Sequence, residues 1–313
     1  MKVILRKSLG IFLIFGSVTL LSACEDITVF LMSVQADKYF SVPSAQGKNF
    51  EELGNGLYAF QHGVDRSLIV DTSEGLIVVY SFNEKMAKDL KQILNQKFPK
   101  KTVSHLIYSH HHLDHTRGGY ELHPGKVIAH ENTRWHFDQY LDTETLKPTH
   151  YISGSQSLRF GNHEIELIDF ERAHAEHLYG FYFPEDKLLY APDLALCQTF
   201  FPFGYPDYNH YGQIHALEEA AKLDFDRFIS SHFNNGDKSC VTETLGLFKD
   251  TRAIILDQFE QYGQPHEADG EWFQHVIGGT KKVIKRDYGD WHGYNEMGLA
   301  FMLRQLTGAV MGY

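Results

Sequence analysis

The segment Ser109-His110-His111-His112-Leu113-Asp114-His115 decides the reading of this chain. It holds the pattern His-x-His-x-Asp-His, beginning at His110. Nineteen histidines make chance matches more frequent than usual, yet only about four per thousand chains of such composition would show one. In an extended loop His110 and His112 point the same way, so two imidazole nitrogens reach one metal ion, while Asp114 and His115 turn towards a second position. Imidazole and carboxylate donors without a thiolate suit zinc, with manganese or iron as substitutes. His111, between two committed neighbours, is expected to face away from the metals.

Working outward, residues 103–108 read as a strand, which sets the histidine cluster where a loop leaves a sheet edge. Upstream, 57–60, 67–70 and 76–80 are short, rich in β-branched and aromatic residues, and set off by Gly54-Asn55-Gly56 and Ser73-Glu74-Gly75 as turns. Met86, Leu90, Ile93, Leu94 and Phe98 recur at helical spacing, with Asn83 as N-cap and Pro99 as stop. Downstream, 127–129 reads as a strand and 130–140 as a helix. The second half has the same organisation, with strands at 156–160, 164–170, 179–183 and 187–190, a helix at 213–223, and a strand at 227–231. A long helix is expected at 241–262. We therefore expect a catalytic domain over 49–262 and a mainly helical C-terminal extension over 263–313.

The first residues differ from the rest. Lys2, Arg6 and Lys7 precede an apolar run from Leu9 to Leu21, which ends at Leu21-Ser22-Ala23-Cys24. The run is too short for a spanning helix and closes on small residues, as a secretory signal does. Its last four residues resemble the bacterial lipobox, which implies a signal peptide over 1–23, lipidation of Cys24, a tether over 24–48, and an exported lipoprotein held at a membrane, facing the periplasm, by its anchor alone. Loss of Lys2, Arg6 and Lys7 would take the formal charge from −11 to −14. Such an acidic surface repels phosphate backbones and argues against a nucleic-acid partner. The 43% hydrophobic content is that of a globular chain with a sizeable core. Cys197 and Cys240 are read either as a pair in an oxidising compartment or as two buried thiols.

These motifs are similar to those of the metallo-β-lactamase superfamily, whose metal loop is His-x-His-x-Asp-His at the end of a strand. Three more ligands match in order. His174 in Glu171-Arg172-Ala173-His174 stands before a strand and turn, Asp193 closes Leu188-Leu189-Tyr190-Ala191-Pro192-Asp193, and His232 follows the strand in Phe225-Asp226-Arg227-Phe228-Ile229-Ser230-Ser231-His232. By resemblance His110, His112 and His174 hold one metal, Asp114, His115 and His232 hold a second, and Asp193 bridges them. The resemblance covers about residues 50–262 and implies a four-layer αββα sandwich of two mixed β-sheets. One departure stands out. Many relatives end the strand before the first helix with an aspartate that braces the metal loop, and here Tyr80-Ser81 stands there, implying a different support.

The resemblance also implies a reaction. Two zinc ions would generate a bridging hydroxide that attacks a small ester-like molecule, with Asp114 as ligand and catalytic orienting group. Dinuclear β-lactamases of the superfamily have a cysteine or small residue where Asp193 stands, so a thioester, lactone or phosphodiester is the expected substrate. The alternatives are a mononuclear iron sulfur dioxygenase of the same superfamily and a non-catalytic metal-binding module. The aromatic stretch 200–211 follows Asp193, so Tyr205, Tyr208 and His210 are candidate substrate contacts, with a packed loop as the equal alternative. Trp291 in the tail poses the same question.

Overall fold

A computed structural model describes residues 32–42, 47–139, 144–202, 207–265 and 269–312. The proposed leader, Cys24 and Tyr205 lie outside the described residues. Residues up to Val42 and those from Pro43 onward form separate compact units. In the first, residues 32–40, inside the stretch expected as a tether, form helix α1.

The second unit opens with β1 (Lys48–Gly54), β2 (Leu57–His62), β3 (Asp65–Thr72) and β4 (Gly75–Val79), then α2 (Glu84–Lys97) and β5 (Val103–Ile107). Asn83 caps α2, its side chain accepting from the Met86 N–H. Two single-turn helices, α3 (Leu113–Thr116) and α4 (Gly119–Leu122), lead to β6 (Lys126–His130). The expected helix over 130–140 is instead a 3-10 turn, Glu131–Thr133, followed by the short α5 (Arg134–Gln139) and β7 (His150–Ile152). Strands β1 to β7 form one sheet in sequence order, antiparallel through β4 and parallel from β4 to β7.

The second sheet has the order β12-β11-β10-β9-β8. It comprises β8 (Gln156–Phe160), β9 (His163–Asp169), β10 (Tyr179–Phe183), β11 (Leu188–Tyr190) and β12 (Arg227–Ile229). In this sheet β11 and β12 pair parallel and the others antiparallel. Both sheets are thus mixed. Helices α6 (His210–Lys222), α7 (Lys238–Tyr262), α8 (Gly270–Tyr288) and α9 (Tyr294–Met311) complete the described elements.

Strand periodicity explains the layering. Leu68, Val70, Ile77 and Val79 point to one side and pack with Leu167, Phe181, Phe183 and Tyr190 of the other sheet. Ile69 and Val78, on the alternate side, pack with Leu90 and Leu94 of α2. The first sheet is therefore apolar on both faces, one against the second sheet and one against helix. Helices α7, α8 and α9 share a further cluster of Ile255, Phe259, Trp272, Val276, Ile277 and Leu306. The two cysteines left open by the sequence are joined as Cys197–Cys240, which ties the loop after β11 to the first turn of α7.

Candidate metal centre

The loops that carry the seven residues leave the same rim of the sandwich. His110 and His112 follow β5, and α3 carries Asp114 and His115. His174 lies in the loop between β9 and β10, Asp193 just past β11, and His232 just past β12. The ends of β5, β11 and β12 are carboxyl ends of strands in parallel pairs, where open α/β sheets gather their sites.

The structure brings all seven together. Donor atoms of His110, His112 and His174 lie within 4.8 Å of one another, as do those of His110, His115 and Asp193 and those of Asp114, His115 and His232. Asp193 stands between the histidines. Its Oδ2 is 2.7 Å from His115 Nε2, 3.4 Å from His174 Nε2 and 3.5 Å from His110 Nε2, and its Oδ1 is 3.1 Å from His232 Nε2. Asp193 is almost fully buried and adopts a left-handed φ of 56°. That strained conformation is fixed by Ser231, whose Oγ accepts the Asp193 N–H at 3.2 Å and donates to Asp193 Oδ1 at 3.1 Å.

The outer ring nitrogens set the tautomers. His232 Nδ1 donates to Asp65 Oδ1 at 2.7 Å, His112 Nε2 donates to Asp207 Oδ2 at 2.7 Å, and His110 Nδ1 faces Ser109 Oγ at 3.0 Å. The donations to Asp65 and Asp207 leave His232 Nε2 and His112 Nδ1 as the nitrogens that face inward. Inward nitrogens then meet: His112 Nδ1 and His174 Nε2 are 3.0 Å apart, and His115 Nε2 and His232 Nε2 are 3.3 Å apart. His110 Nε2 is buried with no hydrogen bond at all. Imidazole nitrogens and carboxylate oxygens that converge on one buried place, with His110 Nε2 left without a hydrogen bond, are a donor set that fits metal ions.

The electrostatics agree. Burial alone would raise the Asp193 carboxyl, but His232, His115 and His174 hold it well below the usual carboxylate range. Burial would likewise lower His115, yet Asp114 and Asp193 raise it to about 9. His110 is pushed well below its ordinary value by burial and by the neighbouring imidazoles, and burial takes His174 down to about 4. Such opposed displacements within one cluster mark a site that concentrates charge.

The brace in place of the family aspartate is Tyr80-Ser81. The Ser81 N–H donates to the His115 carbonyl at 3.0 Å, and its Oγ lies 3.2, 3.1 and 2.9 Å from the carbonyls of His115, Thr116 and Arg117. His111 is buried against the ring of His136, with centroids 3.6 Å apart. Two expected substrate contacts turn elsewhere. Tyr208 is 3% and His210 0% exposed, packed among α6, α7 and α9, where Tyr208 bonds Gln305 and lies edge-on to Phe248. Neither ring leaves a face for a substrate, because the segment into α6 folds back on the helical layer. Trp291 packs edge-on against Phe200 and Tyr288. Sequence reasoning passes over Asp65, Asp207 and Ser231, for which no motif signals a role.

Comparison with known proteins agrees with this architecture. The family model described as "Metallo-beta-lactamase superfamily" matches residues 58–232. The chain is 27% identical over 211 residues to the 2,4-dinitroanisole O-demethylase subunit alpha of Nocardioides sp. (strain JS1661), covering 66% of this chain and 64% of that protein. It is 26% identical over 141 residues to the metallo-beta-lactamase type 2 of Bacillus cereus, covering 43% of this chain and 52% of that protein. It thus spans less than two thirds of either curated relative. Among solved structures, the sec-alkylsulfatase Pisa1 from Pseudomonas sp. superposes with a TM-score of 0.66 at 15% identity, over 85% of this chain and 50% of that one. A metallo-beta-lactamase from Pontibacter korlensis superposes with a TM-score of 0.56 at 17% identity, over 65% of this chain and 100% of that one. The family match, the two mixed sheets and the gathered histidines together show that the chain belongs to the metallo-β-lactamase superfamily.

Proposed function

We propose that this chain is a zinc-dependent hydrolase of a small ester-like substrate, built to hold two ions. His110, His112 and His174 would hold one ion, Asp114, His115 and His232 the other, and Asp193 would be shared. The observation that carries the reading is Asp193 Oδ2, within 3.5 Å of His110, His115 and His174, while Oδ1 reaches His232. Ions held there would acidify a water and polarise the oxygen of the bond to be cleaved.

The chain's own groups supply the remainder. Ser231 fixes the orientation of the shared carboxylate, and the Ser81 brace holds the backbone from His115 to Arg117. Asp114 is the most exposed of the seven, with 61% of its side chain accessible and Oδ2 3.4 Å from His115 Nε2. Burial alone would raise its carboxyl, but His115 and His232 hold it well below the usual carboxylate range, so it stands as an acceptor that can orient a water at the centre. The relatives support hydrolysis as the class of reaction: their names include β-lactamases, an alkylsulfatase and an O-demethylase of an aryl methyl ether. Asp193, where the family's dinuclear β-lactamases carry a cysteine or small residue, favours a thioester, lactone or phosphodiester over a β-lactam.

The test is metal analysis of protein purified without added metal, followed by a panel of thioesters, lactones, phosphodiesters, sulfate esters, aryl methyl ethers and β-lactams. We expect two equivalents of zinc and turnover that Asp193→Ala abolishes while circular dichroism stays native. Undiminished turnover in that variant sinks the reading. One equivalent of iron with little zinc would move it to a sulfur dioxygenase.

We also infer export and lipid anchoring at Cys24, supported by the leader pattern and by the Cys197–Cys240 disulfide, which suits an oxidising compartment. Incorporation of labelled palmitate that is unchanged in Cys24→Ala would refute it.

A further inference from the structure

Two carboxylates outside the ligand set back one histidine each. Asp65 opens β3, and its Oδ1 accepts a hydrogen bond from His232 Nδ1 at 2.7 Å. Its hold is part of a wider clasp on the loop after β12. Asp65 and His232 form an isolated antiparallel bridge, flanked by the Arg66 N–H to the Ser231 carbonyl at 2.7 Å and the Phe233 N–H to the Val64 carbonyl at 2.8 Å. The buried guanidinium of Arg66 donates to the Ser230 and Phe233 carbonyls, both at 2.9 Å, and Tyr190 Oη donates to the Arg66 carbonyl at 2.7 Å. A buried arginine spent on backbone carbonyls fixes a loop rather than a charge pair.

Asp207 plays the equivalent part from another element. It stands three residues before α6, and its Oδ2 accepts a hydrogen bond from His112 Nε2 at 2.7 Å. The segment is docked by the Asn209 N–H to the Ala173 carbonyl at 2.8 Å, one residue from His174.

We propose that Asp65 and Asp207 are positioning residues that set the affinities of the two metal positions separately, Asp65 through His232 and Asp207 through His112. An acceptor behind an imidazole fixes its tautomer and ring direction and raises its basicity, and removing one weakens metal binding about 10- to 100-fold. The two carboxylates belong to different segments and back histidines of different groups, so their effects fall on different ions. This inference rests on the ligand reading above.

The experiment is a cobalt(II) titration of the metal-free full chain, followed by visible ligand-field absorption and by competition with a chelator. Wild type is expected to take two equivalents. Asp65→Asn, which keeps the shape and one acceptor oxygen, weakens one equivalent by about 10- to 100-fold and leaves the other. Asp207→Asn weakens the other equivalent, and the double variant weakens both. Thermal unfolding of the metal-free variants serves as control, with transitions near wild type expected. Fewer than two ions in wild type overturns the ligand reading and this inference with it. Two ions in wild type, with affinities unchanged in both variants or lost from both equivalents alike, overturns this inference alone.

Discussion

The ring of Tyr80 lies against the imidazole of His115, centroids 4.1 Å apart and planes 23° from parallel. Tyr80 takes a left-handed φ of 82° and Phe82 one of 63°, conformations that bulky residues rarely adopt and that cost of the order of 1–3 kcal/mol each. Burial of both rings offsets that strain: Tyr80 packs on Phe82, which meets Phe60 edge-on. Between them Ser81 is aimed at the backbone of α3. We expect Tyr80→Ala to destabilise the metal-free protein by about 3–5 kcal/mol in urea unfolding, since it empties a fully buried aromatic site. A change below about 1 kcal/mol would show that the ring carries no packing.

Ser81→Ala tests the polar half of the same brace. One hydroxyl proton faces three carbonyls and can serve one at a time, so the loss should be about 1–2 kcal/mol rather than three bonds' worth. Hydrogen exchange should quicken at α3 and stay unchanged in the second sheet. Uniform exchange rates across both would contradict the assignment.

Asp169 ties three segments together. Its Oδ2 is 3.2 Å from His130 Nε2 and its Oδ1 3.5 Å from His177 Nδ1, with the two imidazoles stacked at 3.7 Å. His130 Nδ1 accepts the Asn132 N–H, so its proton sits on Nε2 and points at Asp169, leaving no lone pair there for a metal. Burial would raise the Asp169 carboxyl, but these histidines hold it below the usual range. A depressed carboxyl adds stability above its unfolded value, about 3.9, that is lost as pH falls through the folded one. Metal-free Asp169→Asn should therefore be less stable than wild type at pH 7, with the gap starting to narrow as pH falls below ~4. A gap in urea midpoints that stays constant from pH 7 to pH 3 would rule this out.

How far the chain can be read from its letters follows from which signals are local. The histidine loop and its distant partners share a spacing and an order, and strands such as β3 and β10 announce themselves by runs of apolar residues. Strand β1 escapes such a reading because it is mostly exposed, and β7 because it has three residues. The helix expected over 130–140 fails at its start because His130 turns its own ring into a cap and winds a 3-10 turn first. Helix α6 begins three residues before the expected start because Asn209 caps it, accepting from the Gly212 N–H. Asp65 and Asp207 are illegible for another reason: each meets its histidine across 167 and 95 residues, with no shared spacing to betray it.

The disulfide gives a prediction on the loop behind Asp193. Cys197 and Cys240 enclose 43 residues of sequence separation, and closing such a loop restricts the unfolded chain by about 4 kcal/mol. Reduction with a dithiol, or the Cys197→Ser/Cys240→Ser variant, should lower the thermal midpoint by several degrees for a chain of this size. An unchanged midpoint after complete reduction, checked by thiol titration, would show that the bridge constrains little.

Gly212 carries the last test, because it joins α6 to the loop that bears His174. It lies in the first turn of α6, where its N–H is held by Asn209 Oδ1 at 2.7 Å. A Cβ built on it would fall inside the carbonyl oxygen of Arg172, two residues before His174. Alanine normally favours a helix over glycine by about 1 kcal/mol, so on propensity alone Gly212→Ala should stabilise. Here the neighbour is backbone and cannot rotate away. The loop must move, or the helix must lift and loosen the bond between the Asn209 N–H and the Ala173 carbonyl. We expect a net destabilisation of about 1–3 kcal/mol together with weaker metal binding, since either movement displaces His174 from His112 and Asp193. A stabilised variant with unaltered metal affinity would mean that α6 and the loop are not in contact, and the docking of Asp207 would fall with it.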